Sequence, residues 1–231
     1  MMTTPPMDLK RIPSPTQIEA EICKRSLHEF VKRSWDIVEP GTQFTDGWHI
    51  KAICDYLEAC VRGDIKNLII NIPPRHMKSL LTNVFFPAWI WTFSPTKKFI
   101  FTSYAQQLAT RDSVKCRKLI ESEWYQQRFD VKLSGDNNQK TQYDNTSGGY
   151  RYSFGFNSVT GQGGDFVVVD DPLDAEKSSS DVELQNTNWT YDNAIFNRLN
   201  DTSTGVRIII MQRLNENDLV GHILENKSIQ Y

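Results

Sequence analysis

The sequence is short of the features that define several protein classes. No apolar run exceeds the eight residues from Val84 to Trp91, and that run contains Pro87, whereas a membrane-spanning helix needs roughly 20 apolar residues. The opening Met1-Met2-Thr3-Thr4-Pro5-Pro6 lacks the basic and apolar regions of a secretory leader, so a cytoplasmic location is expected. Only four cysteines occur, Cys23, Cys54, Cys60 and Cys116, with no CxxC pair and no histidine at zinc-ligand spacing. That excludes a metal ribbon and points to reduced, buried thiols. An excess of one charge is missing too: 26 Lys+Arg stand against 28 Asp+Glu, a formal net charge of −2. Bulk electrostatics therefore does not suit a nucleic-acid coat, although a local basic groove is compatible with it. There is no internal repeat and no low-complexity tract.

What is present is ordinary globular composition, with 39% hydrophobic and 23% charged residues in 231, enough chain for a packed core. Residues 1–15 hold Pro5, Pro6, Pro13 and Pro15 and read as a loose arm, with one domain over 16–231. Ile18, Ile22, Leu27, Phe30, Val31 and Trp35 recur at helical spacing, which predicts one amphipathic helix stopping before Pro40-Gly41. A second helix is expected over 48–61, closed by Gly63. Four short apolar runs, at 67–72, 99–102, 166–169 and 206–210, read as strands buried on both faces. Helical patterns at 80–91, 106–121, 181–199 and 218–225 alternate with them, which predicts an α/β fold with a mostly parallel central sheet flanked by helices. The Gly, Asn, Gln and Thr rich stretch 134–164 is expected to form a hairpin and loops lying over the sheet.

Ligands of such sheets bind beyond the carboxyl ends of the strands. After the first strand comes Pro73-Pro74-Arg75-His76-Met77-Lys78-Ser79. A Lys-Ser pair at a strand-to-helix turn has the chemistry of a phosphate loop: the ammonium reaches phosphates, the hydroxyl ligates Mg²⁺, and the helix start favours anions. The standard glycines are replaced by Ile72 and Met77, and two prolines remove N–H donors. Arg75 and His76 can restore positive charge, and an ordinary turn with a lysine at the helix start is the competing reading. The third strand ends in Asp170-Asp171-Pro172. Such a pair suits a nucleotide hydrolase, the first carboxylate holding Mg²⁺ and the second polarising water, or else it caps the next turn. The fourth strand runs into Met211-Gln212-Arg213, where Gln212, with Arg213 as a second candidate, suits contact with a terminal phosphate or water, and an exposed polar strand end is the competing reading.

With these elements in view the sequence resembles the ATPase domain of tailed-phage terminase large subunits, in the branch whose phosphate loop reads Pro-Pro-Arg-His-Met/Gly-Lys-Ser. The likeness covers most of residues 26–225. It includes Trp48-His49, Ser103-Tyr104-Ala105, Thr160-Gly161-Gln162-Gly163-Gly164-Asp165 and Asn217-Asp218-Leu219 besides the three motifs. The resemblance implies a P-loop NTPase fold of the additional-strand, RecA-like type and Mg²⁺-dependent ATP hydrolysis that drives double-stranded DNA into a procapsid. It also implies a portal protein, a small terminase subunit and a homo-oligomeric ring as partners, no membrane, and assembly in the host cytoplasm. ATP would contact Pro74, Arg75, His76, Met77, Lys78 and Ser79. Ser79 and Asp170 would hold Mg²⁺, and Asp171, Arg75 and Gln212 would act in catalysis. Asp171 stands where many packaging motors carry Glu. The usual C-terminal nuclease domain has no counterpart before Tyr231, so no nuclease activity is expected.

Arg111, Arg151, Arg198 and Arg213 are candidates for an arginine finger given to a neighbouring subunit. Trp48-His49 and Gln17 suit adenine by stacking and edge recognition, while core packing is the commoner fate of such a tryptophan. Lys97, Lys98, Arg111, Lys115, Arg117 and Lys118 form a basic cluster for DNA phosphates, or a solvated helix face. An interaction module with an inert loop, or another nucleic-acid-dependent ATPase, is the rival to the motor.

Overall fold

The computed structural model describes residues 12–159 and 161–225. Most of the expected N-terminal arm, and Thr160 of the glycine-rich motif, lie outside the described residues. No helix among them is long and apolar enough to cross a membrane.

The expected 16–35 helix is two helices, α1 (Pro15–Arg25) and α2 (Leu27–Val38). Ser26 breaks it. Its N–H caps the end of α1 by donating to Cys23, and its hydroxyl accepts the Glu29 N–H at the start of α2, the competition with regular helix that serine typically offers. α3 (Trp48–Arg62) ends as expected at Gly63, which takes the left-handed conformation at φ 84.

Strands β1 (Asn67–Asn71), β2 (Lys98–Ser103), β6 (Phe166–Asp170) and β7 (Val206–Met211) are the four apolar runs. Between β2 and β6 the chain adds β3 (Leu133–Asn138), β4 (Gln142–Asn145) and β5 (Tyr150–Gly155). All seven form one sheet in the order β1-β7-β6-β2-β5-β4-β3. The first five in that order pair in parallel, and β4 and β3 are antiparallel additions. The stretch 134–164 therefore extends the sheet rather than lying over it, and β5 is parallel. Arg and Ser at its inward positions, 151 and 153, mask its alternation in the sequence.

Successive side chains leave opposite faces of a strand, so continuous apolar runs feed two cores. Phe99, Phe101, Phe166, Val168, Ile208 and Ile210 pack with the N-terminal helices. Ile100, Val167, Val169, Ile209 and Met211 pack on the other face with Tyr191, Ile195, Leu219 and Ile223. On the first face lie α5 (Gln106–Glu121), α6 (Glu123–Gln126) and the 80–91 helix; on the second, α7 (Asp181–Thr190), a π-helical turn over Tyr191–Ile195 and α8 (Leu219–Glu225). All four cysteines are buried and free.

The 80–91 helix starts as a π-helical turn, Leu80–Phe85, and becomes α4 (Phe86–Trp91). Pro87 accounts for this. It has no N–H for the carbonyl four residues back and its ring crowds that carbonyl, which belongs to Asn83. The freed oxygen accepts instead from the Arg151 guanidinium at 2.8 Å. Arg151 is fully buried, lies over the Phe101 ring and also reaches Ser153. One strand of the added segment thus completes a helix on the sheet face.

Gly149, just before β5, tests that integration. A Cβ there would meet the Pro95 carbonyl oxygen at 2.1 Å and that of Lys97 at 2.7 Å. Gly149→Ala is expected to destabilise the fold by about 3 kcal/mol, read as a lower midpoint in thermal or urea unfolding. A peripheral loop would absorb the methyl group with no change.

Candidate active site at the tips of three strands

The register brings the carboxyl ends of β1, β7 and β6 level: Asn71 faces Met211, and Asp170 faces Ile210 and Ser103. The fourth strand of the chain's apolar set thus lies between the strand before Lys78 and the strand that ends at Asp170. Loop 72–79 leaves β1 with Ile72 still bonded to the Met211 carbonyl. It then makes two left-handed residues, Arg75 at φ 65 and Met77 at φ 63, on either side of His76. Such alternation turns successive backbone N–H groups toward one side, the pattern of an anion-holding concavity. Met77 therefore takes the conformation a glycine would supply at that position. The strain is of order 1–3 kcal/mol for a non-glycine residue, and packing of Met77 against the core opposes it. His76 donates from Nδ1 to the Pro74 carbonyl at 2.9 Å.

Lys78 is buried, and its Nζ lies 2.6 Å from the Asp171 carboxylate. Asp171 is the third left-handed residue, at φ 42. Its backbone N–H bonds the Ile210 carbonyl, its own carbonyl accepts from Tyr104, and its carboxylate accepts the Gln212 N–H at 3.2 Å. Among the described non-glycine residues, every positive φ lies at this site.

Asp170 ends β6 and is buried. One oxygen accepts from the Asn83 amide at 2.7 Å, while Oδ1 has no hydrogen-bond partner. Burial, then the neighbouring Asp171 charge, raises its pKa from the usual 3.8 to about 7; the Ser79 hydroxyl acts in the opposite direction. A buried carboxylate oxygen without a partner beside a hydroxyl is a set of hard oxygen donors. It suits a cation that keeps most of its other ligands from water and substrate. Among the described residues no cluster of three or more His, Cys, Asp or Glu is placed to hold a metal.

These groups line a cleft of about 390 Å³ that contains Arg75, Lys78, Ser79, Asp170 and Asp171, together with Arg111. A larger cavity, about 570 Å³ between α1 and Gln127-Arg128, holds none of them. The cleft is the chemically equipped one. Gln17 lies at the larger cavity and caps α1 through Ser14, so it is not brought to Trp48-His49. His49 packs edge-on against His76, with ring centroids 5.6 Å apart, which places that segment beside the loop. Trp48 is 85% exposed; the core-packing expectation is corrected, because α3 buries the opposite face through Ile50, Ile53 and Leu57.

Of the four candidate finger arginines, Arg151 is excluded by complete burial. Arg213 is held by the buried Asp218 at 2.9 Å and by two loop carbonyls, and Arg198 Nε by the Ala194 carbonyl. Arg111 faces the chain's own cleft. The basic cluster is divided: Lys97 lines a different cavity from Arg111, Lys115 and Lys118, while Lys115 pairs with Glu39 and Arg117 reaches Asn138. Two further buried polar residues, Asn83 and Asp112, stand beside the site, and no sequence motif marks them. A polar pair, Thr82-Asn83, inside an apolar helix and four residues before a proline was the available signal.

No family-level sequence model matches the chain, and no curated protein matches its sequence. Among solved structures it is similar to the HK97 bacteriophage large terminase, at 14% sequence identity with a TM-score of 0.60. The match covers 85% of this chain and 39% of that one, so the chain spans well under half the neighbour's length. At that identity the likeness is one of fold: a terminase-like, mixed α/β architecture.

Above pH 7 the folded chain holds Asp170 charged in a buried site; between pH 7 and about 4 it holds a proton that the unfolded chain releases. The penalty is thus full above pH 7 and is lost as pH falls toward 3.8. Asp170→Asn is expected to raise the stability of the nucleotide-free chain at pH 8 by up to about 4 kcal/mol. The gain should shrink to nothing near pH 4 in matched unfolding experiments.

Proposed function

We propose that the chain is the ATPase motor part of a phage terminase large subunit, a P-loop NTPase of the additional-strand type. It would hydrolyse ATP with Mg²⁺ to drive double-stranded DNA into a procapsid in the host cytoplasm. The observation that carries this reading is the convergence of Lys78, Ser79, Asp170 and Asp171 at adjoining strand tips, with the left-handed backbone of Arg75 and Met77 in the loop. The terminase-like fold supports it. Pro74 to Ser79 would cradle the phosphates, Lys78 and Arg75 supplying charge. Ser79 and Asp170 would hold Mg²⁺, whose chemistry there is neutralising phosphate charge. Asp171 is already bonded to Lys78 and to the Gln212 N–H; when phosphate takes the ammonium, its carboxylate is free to orient water, with Gln212 beside it. His49 and Trp48 offer rings for the base. A ring of copies at a portal, with a small terminase subunit, completes the reading, and Arg111 in the chain's own cleft would act on the nucleotide held there.

Steady-state ATP hydrolysis by the purified chain, over a range of protein concentrations, tests this. Magnesium-dependent turnover is expected, falling at least about 10²-fold in Asp171→Ala and in Lys78→Ala. Equal rates in the variants and the wild type, or no turnover with no nucleotide binding, would leave the loop as a structural turn and favour an interaction module.

A further inference from the structure

We infer that Asn83 is a positioning residue of this site: its side-chain amide orients Asp170 for the cation and, through Asp112, fixes Arg111 at the cleft. The inference rests on the nucleotide reading above and adds to it a residue outside the loop and the strand tips.

Asn83, Asp112 and Asp170 are 4%, 1% and 6% exposed, so water does not satisfy them and each contact decides the arrangement. The Asn83 Nδ2 donates to Asp170 Oδ2 at 2.7 Å and to Asp112 Oδ2 at 3.3 Å. Two carboxylates only accept when charged, and one NH₂ carries two hydrogens. An amide is therefore matched to this place, whereas a hydroxyl has one hydrogen and a third carboxylate would repel. The same fact fixes which amide atom is nitrogen. On the other side, Oδ1 of Asn83 lies 3.1 Å from the Thr82 hydroxyl, which is also 3.0 Å from the Lys78 carbonyl.

The consequence for Asp170 is a division of its two oxygens. Oδ2 is held by Asn83, and Oδ1 is left without a partner. Asp112 is divided too: Oδ2 goes to Asn83, and Oδ1 accepts from Arg111 Nε at 2.8 Å. Arg111 lines the cleft with Lys78 and Ser79, and only its Nε has a protein partner among the described residues. Its terminal nitrogens are thus presented with the stem tied down. Asn83 itself is held from behind, because Pro87 cannot bond its carbonyl and Arg151 does so from the sheet at 2.8 Å. The π-helical turn is the backbone device that sets this side chain, in keeping with the frequent use of such turns at functional sites.

The test uses ATP affinity of the full chain, measured calorimetrically in EDTA and across a magnesium titration, with unfolding midpoints taken alongside. The wild type is expected to bind ATP more tightly as magnesium rises. Asn83→Leu, which keeps the branched shape of the side chain and removes the amide, is expected to bind ATP in EDTA within about twofold of wild type. It should need about tenfold more magnesium for the half-maximal effect, the size seen when residues behind a metal ligand are removed. Asn83→Ser, small enough to admit a water, is expected to fall between the two. An unchanged magnesium requirement in both variants would overturn the inference. So would an equal loss of affinity with and without magnesium that follows the unfolding midpoint, since that is a packing effect. If the wild type binds no ATP under either condition, the nucleotide reading itself fails and this role falls with it, an outcome distinct from the other two.

Discussion

The ion pair between Lys78 and Asp171 is the interaction on which the site depends. It joins the loop after β1 to the tip of β6, two elements separated in the sheet by β7. A pair of this kind, with Lys78 buried and Asp171 half-buried, contributes little net stability, because withdrawing the charges from water offsets most of their attraction. Asp171 is moreover held at a positive φ. The pair persists because the parallel pairing of β1, β7 and β6 and the bonds at Asp171 to Ile210, Tyr104 and Gln212 leave its ends nowhere else to go. An ammonium so placed is preorganised for a stronger anion. On the proposed function, phosphate is that anion and the exchange frees the carboxylate.

A second constraint works from within the helix that follows the loop. Pro87 displaces one backbone bond, the turn opens to π geometry, and Arg151 fills the vacancy from the middle of the sheet. That arrangement buries a guanidinium, which is tolerable only with hydrogen bonds and aromatic faces around it; Ser153, the Asn83 carbonyl and Phe101 supply them. The polar interior between helix and sheet is thus a continuous set of contacts from Arg151 through Asn83 to Asp170 and Arg111. Each member explains why its neighbour is not apolar.

The parts of the fold legible in sequence were those governed by period and apolarity. Four strands and the helices between them follow from continuous β-branched runs alternating with helical spacing, and the strand ends located Lys78, Ser79, Asp170 and Asp171. What was not legible depended on partners distant in sequence. β5 was hidden by Arg151 and Ser153 at inward positions, where an apolar residue would have signalled a strand. Ser26 ends one helix and starts another through its own hydrogen bonds, which no hydrophobic pattern records. Met77 looked unfit for the loop by residue type, yet its backbone takes the left-handed conformation and its side chain packs on the core. Trp48 and Arg151 reversed their expected roles, one exposed and one buried, because burial is set by which face of an element the neighbours cover.

The central claim is that the Lys78–Asp171 pair is a placeholder for phosphate. A crystal structure of the chain with Mg²⁺ and a non-hydrolysable ATP analogue addresses it directly. The account predicts the β and γ phosphates against residues 74–79, Lys78 Nζ bonded to phosphate oxygen and no longer to Asp171, and the cation on Ser79 and Asp170. An intact 2.6 Å contact between Lys78 and Asp171 with the analogue bound elsewhere would contradict it.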